Sequence, residues 1–152
     1  MRGKKVIDEF RGKYDFLSNF YIRPLEYKGL TYHTAEAAFQ AQKCATDDEK
    51  VKYTLVANPV LVKQLGKKEP GFPANWNEIC YDIMKDIIAC KFADPELKKK
   101  LLATGNAELV EGNRWHDNRW GNCTCERCAN KEGLNWLGKI LMEIRSEFTK
   151  EA

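Results

Sequence analysis

The run TAEAAFQAQK carries Glu36, Gln40 and Lys43 at spacings that fall close to one line on an α-helix, so a carboxylate, an amide and an ammonium share a face. A carboxylate held away from water can orient a water molecule or donate a proton, and an amide can recognise the polar edge of a ring. A lysine on the same face can bind phosphate or capture the aldehyde of an opened sugar as a Schiff base. The structural alternatives are a first-turn Glu36 that favours exposed helix amides and a solvated Lys43.

A second polar group lies in RWHDNRWG. Asp117 can activate water or steady positive charge at a sugar carbon, and Trp120 can offer a stacking wall to a planar base. Equally, Asp117 can accept turn amides while Trp115 and Trp120 pack the loop. Arg23, Arg114 and Arg119 are candidate phosphate contacts, because a guanidinium makes paired hydrogen bonds to oxyanions. The Lys98-Lys99-Lys100 run reads as a solvated helix face. Cys123, Cys125 and Cys128 lie close enough in sequence to hold a structural zinc with His116 as fourth ligand. The alternatives there are reduced thiols or redox use, and His116 can also be an orienting or surface residue.

These residues need elements to position them. KVIDEF reads as a short strand, LEYKGLTYHT as a hairpin about Lys28-Gly29, and Thr34 as the cap of the helix bearing Glu36. Asp47 or Asp48 opens a second helix, Asn58-Pro59 a third, and Asp94-Pro95 a fifth that Gly105 ends. Between them a longer helix from about Trp76 to Phe92 carries Ile79, Ile83, Ile87, Ala89 and Cys90 as its apolar positions. AELVEGN returns as a strand, and a last helix from about Leu134 to Phe148 turns Leu137, Leu141, Ile144 and Phe148 to one side, with Trp136 and Ile140 adjoining. The expected fold class is α+β, helix-rich, with a small N-terminal β element, over residues 1–152 as a single domain. Residues 112–133 form its long polar loop.

The chain has 152 residues, 43% of them hydrophobic and 31% charged, which suits one globular domain with a substantial core. Twenty-five Lys and Arg against 22 Asp and Glu give a net charge of +3, too little to mark a nucleic-acid binder unaided. A nucleic-acid module supported by the basic helices and the Cys-rich loop therefore ranks last. No run reaches the roughly 20 apolar residues of a membrane helix, and the charged start MRGKKVIDEFRGK lacks a signal-peptide core. Cytoplasmic localisation, no membrane partner, and reduced thiols at Cys44, Cys80 and Cys90 are the corresponding expectations. P-loop, Rossmann, metalloprotease and Ser-nucleophile patterns do not occur.

In order along the chain, FLSNFY at Phe16 to Tyr21, TAEAAFQAQK at Thr34 to Lys43, DNRWG at Asp117 to Gly121 and LNWLGKILMEIR at Leu134 to Arg145 resemble the NADAR, or YbiA-like, family. The resemblance implies an α+β fold and an N-glycosidase that hydrolyses the bond between ribose and a base or ring amine. Phosphoribosylamino-pyrimidine intermediates of riboflavin biosynthesis lead the substrates it suggests. The alternatives are removal of ADP-ribose from guanine, with nucleic acid as partner when the guanine is polymer-borne, and a noncatalytic ADP-ribose or nucleotide sensor. It nominates Glu36, Lys43 and Asp117 for chemistry and Asn19, Phe20, Trp120, Gly121 and Asn135 for shaping the site, with no cofactor required for the chemistry. The chain departs from the family's glycine-rich loop by placing CTCERC between WG and the last helix.

Overall fold

The computed structural model describes residues 5–151, so the first four residues of the charged start lie outside it. It is a helix-rich α+β protein whose strands are short. By contacts the chain divides into two units, one taking residues up to Ser18 and from Pro95 onward, the other Asn19–Asp94.

The Asn19–Asp94 unit begins with the hairpin β1 (Leu25–Tyr27) and β2 (Leu30–Tyr32), paired antiparallel with Leu25 opposite Tyr32. Lys28 and Gly29 both hold positive φ, 49° and 87°, which is the turn geometry that matches the twist of two strands. Thr34 caps α1 (Ala35–Ala41) by accepting from Ala37 N at 3.1 Å. Ala35, Ala37, Ala38 and Ala41 are all buried, and their small side chains let α2 (Asp47–Thr54), α3 (Pro59–Lys67) and α4 (Trp76–Lys91) approach closely. The cap of α2 is Thr46, whose hydroxyl accepts from Glu49 N, so Asp47 and Asp48 sit inside the first turn. Asn58 and Pro59 start α3 as expected, with Asn58 Oδ1 accepting from Val60 and Leu61.

Helix α4 buries a different stripe from the one the apolar residues suggest. Trp76, Cys80, Met84, Ile87, Ile88 and Lys91 face inward, Ile79 and Ile83 are half-buried, and Ala89 and Cys90 face outward. Lys91 takes an inward position because its stem is apolar and its ammonium lies 5.7 Å from the Tyr21 ring and 5.3 Å from Phe92.

In the other unit β3 (Val6–Ile7) runs parallel to β4 (Glu108–Leu109), and β5 (Gly112–Asn113) parallel to β6 (Asn122–Cys123). Residues Gly12–Leu17 form 3-10 turns, and α5 (Pro95–Ala103) ends before Gly105 at φ 65°. The long C-terminal helix α6 (Trp136–Glu151) turns Leu137, Ile140, Leu141 and Ile144 to a core shared with Leu97, Leu101 and Leu109. Arg145 is buried too, its guanidinium donating to Thr104 Oγ1 and Ala107 O at 2.8 Å each.

Candidate functional site

In the Asn19–Asp94 unit, α1 presents two polar side chains in an otherwise apolar environment. Glu36 and Gln40 are 7% and 6% exposed, and Gln40 Nε2 donates to Glu36 Oε1 at 2.9 Å. The backbone N–H of Glu36 donates to Asn19 O at 3.1 Å, which ties Asn19 to the start of the helix. A carboxylate this deep is costly unless its oxygens are satisfied, and the amide one turn on supplies one donor. Gln40 Oε1 and Asn19 Oδ1 are buried without a hydrogen-bond partner, while Asn19 Nδ2 lies 3.5 Å from Met84 Sδ.

The helix ends at Ala41, so Lys43 lies in the closing turn, its N–H on Gln40 O. Its ammonium donates to Gly66 O at 3.5 Å and stands 6.0 Å from the Phe72 ring and 5.8 Å from Trp76. Burial pulls its pKa below the usual lysine value, and the Glu36 charge works in the opposite direction. Trp76 in turn packs on Phe39 at 5.2 Å between centroids. Gly66 has no room for a side chain, since a Cβ there would run into Gln40 Oε1. Phe20 has Lys63 6.0 Å from its ring, and Arg23 is engaged with Asp94, with Nη2 to Oδ2 at 2.7 Å.

Gly66, Phe72 and Trp76 were not among the sequence-derived candidates, and neither was the adjoining group around Glu69. Glu69 is 5% exposed, accepts from Tyr53 OH at 2.9 Å and pairs with Lys52 at 2.8 Å. The Lys52 bond leads in holding its carboxyl below the ordinary value, while burial and Glu69 push the Cys44 thiol up to about 11. The only sequence signal for Glu69 is an isolated acid after Lys67-Lys68, with no periodicity to show that it faces inward.

In the second unit the loop candidates form a hydrogen-bonded turn. Asp117 Oδ1 accepts from Arg119 N at 3.1 Å and Trp120 N at 2.9 Å, and Asn113 Oδ1 accepts from Trp115 N and Asp117 N. Four successive amides, Leu134 to Leu137, donate to the carbonyls of Asn118, Gly121, Arg119 and Trp120, so the turn caps the start of α6. Asn135 holds φ 51°, accepts from Glu111 N and donates to Leu109 O at 2.9 Å each. Gly121 is pressed against Glu111, whose backbone and carboxylate occupy the place of a Cβ. Trp120 meets Trp136 edge-on at 5.5 Å, Arg119 stacks 5.8 Å from Trp136, and Arg114 is exposed.

The structure also gathers His116, Cys123, Cys125 and Cys128, whose ligand atoms all lie within 4.8 Å of one another, a grouping that can coordinate a metal ion. Burial opposes ionisation of Cys123, but bonds from Cys125 and His116 outweigh it and bring the thiol down to about 6. Among the described residues no helix is long and apolar enough to cross a membrane.

The NADAR domain family matches residues 7–149. The N-glycosidase YbiA of Shigella flexneri is 33% identical over 140 residues, which cover 91% of this chain and 84% of that protein. The chloroplastic riboflavin biosynthesis protein PYRR of Zea mays is 34% identical over 130 residues, covering 78% of this chain and 20% of that longer protein. The NMR structure of the E. coli protein YbiA superimposes with a TM-score of 0.81 at 30% identity, covering 99% of this chain and 89% of that one.

Proposed function

The chain belongs to the NADAR family, and from that premise we propose that it is an N-glycosidase whose α1 site cleaves the bond between ribose and a ring amine. The observation that carries this reading is the buried Glu36–Gln40 pair, followed within the next two turns by the half-buried Lys43. Phosphoribosylamino-pyrimidines are the substrates proposed first, a choice supported by the likeness to the maize riboflavin biosynthesis protein.

In the hydrolytic form, the glycosidic electron pair leaves with the ring amine, which takes up a proton, while positive charge develops at the sugar carbon. Glu36 stabilises that charge and accepts the proton of the attacking water, whose oxygen becomes the new sugar hydroxyl. Lys43 holds the ribose or its phosphate. In the covalent form the sugar ring opens so that its C1 is a protonated imine to the ring amine. Lys43 adds to C1, and the ring amine leaves with the carbon–nitrogen electron pair and takes up the proton Lys43 loses. Water then hydrolyses the resulting Lys43 Schiff base to free the sugar aldehyde and the lysine. Its lowered pKa favours this version by raising the amine fraction.

Asp117, Trp120, Gly121 and Asn135 are assigned to the shape of their loop, with Arg114 and Arg119 as phosphate contacts on it. No cofactor takes part in the bond cleavage, and zinc is the metal proposed for the Cys-rich segment. Time-resolved mass spectrometry against a phosphoribosylamino-pyrimidine and against guanine-linked ADP-ribose tests the assignment. Release of ribose phosphate from the first is expected. Release of ADP-ribose alone would move the substrate to modified guanine, and binding with no cleavage of either would make the protein a sensor. Borohydride during turnover, followed by peptide mass measurement, separates the two mechanisms, since only the Schiff base leaves an adduct on Lys43.

A further inference from the structure

The thiol-rich segment between Asp117 and α6 has no part in the bond cleavage, yet its donor atoms converge. His116 Nδ1 lies 3.8, 3.3 and 3.4 Å from the sulfurs of Cys123, Cys125 and Cys128, and the sulfurs of Cys123 and Cys125 are 3.2 Å apart. A tetrahedral ion with Zn–S bonds of about 2.3 Å and a Zn–N bond of about 2.0 Å sets neighbouring ligand atoms roughly 3.5–3.8 Å apart. The four donors are at that scale. An iron–sulfur cluster needs its thiolates spread around several metal atoms, whereas here all four donors lie within 4.8 Å of one another, which fits a single ion. Three soft sulfurs and an imidazole in this geometry favour zinc over magnesium or calcium, which take oxygen ligands.

We propose that His116, Cys123, Cys125 and Cys128 form a closed zinc site whose occupancy fixes the turn Asp117–Gly121. Four protein ligands leave no open position for substrate or water, so the ion acts on shape. Its effect on the turn follows from connectivity. His116 and Cys123 bracket the turn on both sides, and His116 holds φ 69°, a backbone state that non-glycine residues keep only where surroundings enforce it. Asn118, inside the turn, reaches both sides of the site, with Nδ2 3.5 Å from Cys128 Sγ and Oδ1 accepting from Cys123 N at 2.8 Å. Such outer contacts orient the ligands and make metal binding and loop geometry one event. The metal site stands by itself, while its effect on turnover rests on the N-glycosidase reading.

Metal analysis of the full chain, purified reduced from zinc-supplemented growth, tests the site. About one zinc per chain is expected, lost in Cys125→Ser and Cys128→Ser and retained in Cys90→Ser. Cobalt(II) in place of zinc gives the visible bands of a tetrahedral thiolate complex. Asn118→Ala weakens zinc about 10- to 100-fold in chelator competition. A folded wild-type chain without stoichiometric metal, or one with a Cys123–Cys125 disulfide instead, overturns the site. For the turn, chelator stripping is expected to speed trypsin cleavage after the surface residues Arg119 and Arg127, by loosening the backbone that holds them, and to raise KM more than it lowers kcat, with zinc restoring both. Unchanged proteolysis after stripping overturns the effect on the turn. If neither glycosidic substrate is cleaved by the zinc-loaded chain, the activity reading falls, and metal content and trypsin cleavage still decide this proposal.

Discussion

Glu36 and Gln40 are joined by a hydrogen bond inside a buried helix whose other side chains are alanines and Phe39, so an isosteric change is the one that leaves the packing intact. Glu36→Gln keeps the volume and removes only the charge. Turnover of the cleaved substrate falls about 10²- to 10⁴-fold in this variant, the scale of a lost general acid or base, while its thermal unfolding stays near wild type. Lys43→Ala loses comparable activity, and borohydride trapping shows whether the loss is of a nucleophile or of an anchor. The amine's reactivity gives a second check. Acetylation of Lys43 followed by mass spectrometry across pH titrates below the usual lysine value because burial disfavours the ammonium. In Glu36→Gln the midpoint moves lower still, since the favourable carboxylate is gone. The Glu36–Gln40 relation was legible in the sequence because a four-residue spacing is fixed by helix geometry. The rings of Phe72 and Trp76 around Lys43 were not, because nothing local links residues separated by α2, α3 and the connection carrying Pro70 and Pro73.

At the scale of elements, two small features hold the parts in register. Gly66 lets α3 touch the Gln40 amide, so Gly66→Ala must push that amide aside and disturb its bond to Glu36. A loss of about 1–3 kcal/mol in urea unfolding follows from such overpacking, together with reduced turnover. Asn135 ties β4 and the residue before β5 to the start of α6 through both ends of its amide. Asn135→Ala removes both bonds and places alanine at positive φ, costing about 1–3 kcal/mol by the same measurement. The caps Thr34 and Asn58 and the Lys28-Gly29 turn could be read directly, because each depends on one or two adjacent residues. The buried stripe of α4 could not. Apolar residues occupy several sides of that helix, so their pattern admits more than one phase, and Lys91 conceals an apolar stem behind a charge.

For the whole molecule, acid is the informative stress. Glu69 binds Lys52 and Tyr53 as a carboxylate, and its folded pKa lies below the ordinary glutamate value. Its contribution to stability is therefore complete above that ordinary value and is lost as pH falls through the lowered one. In wild type the urea midpoint drops across that acid window, and Glu69→Gln, starting lower at neutral pH, shows a shallower decline. The helix-rich α+β class was legible from caps and periodicities spread along the chain. The two-residue parallel pairings of β5 with β6 and β3 with β4 were not, since strands that short carry no alternation and are set by distant partners. The four carbonyls that cap α6 make one last consequence measurable without substrate or metal analysis. Because the amides of Leu134 to Leu137 are protected by the turn rather than by their own helix, their protection from exchange with deuterated solvent reports the free energy of opening the turn, an intrinsic gauge for a segment otherwise silent.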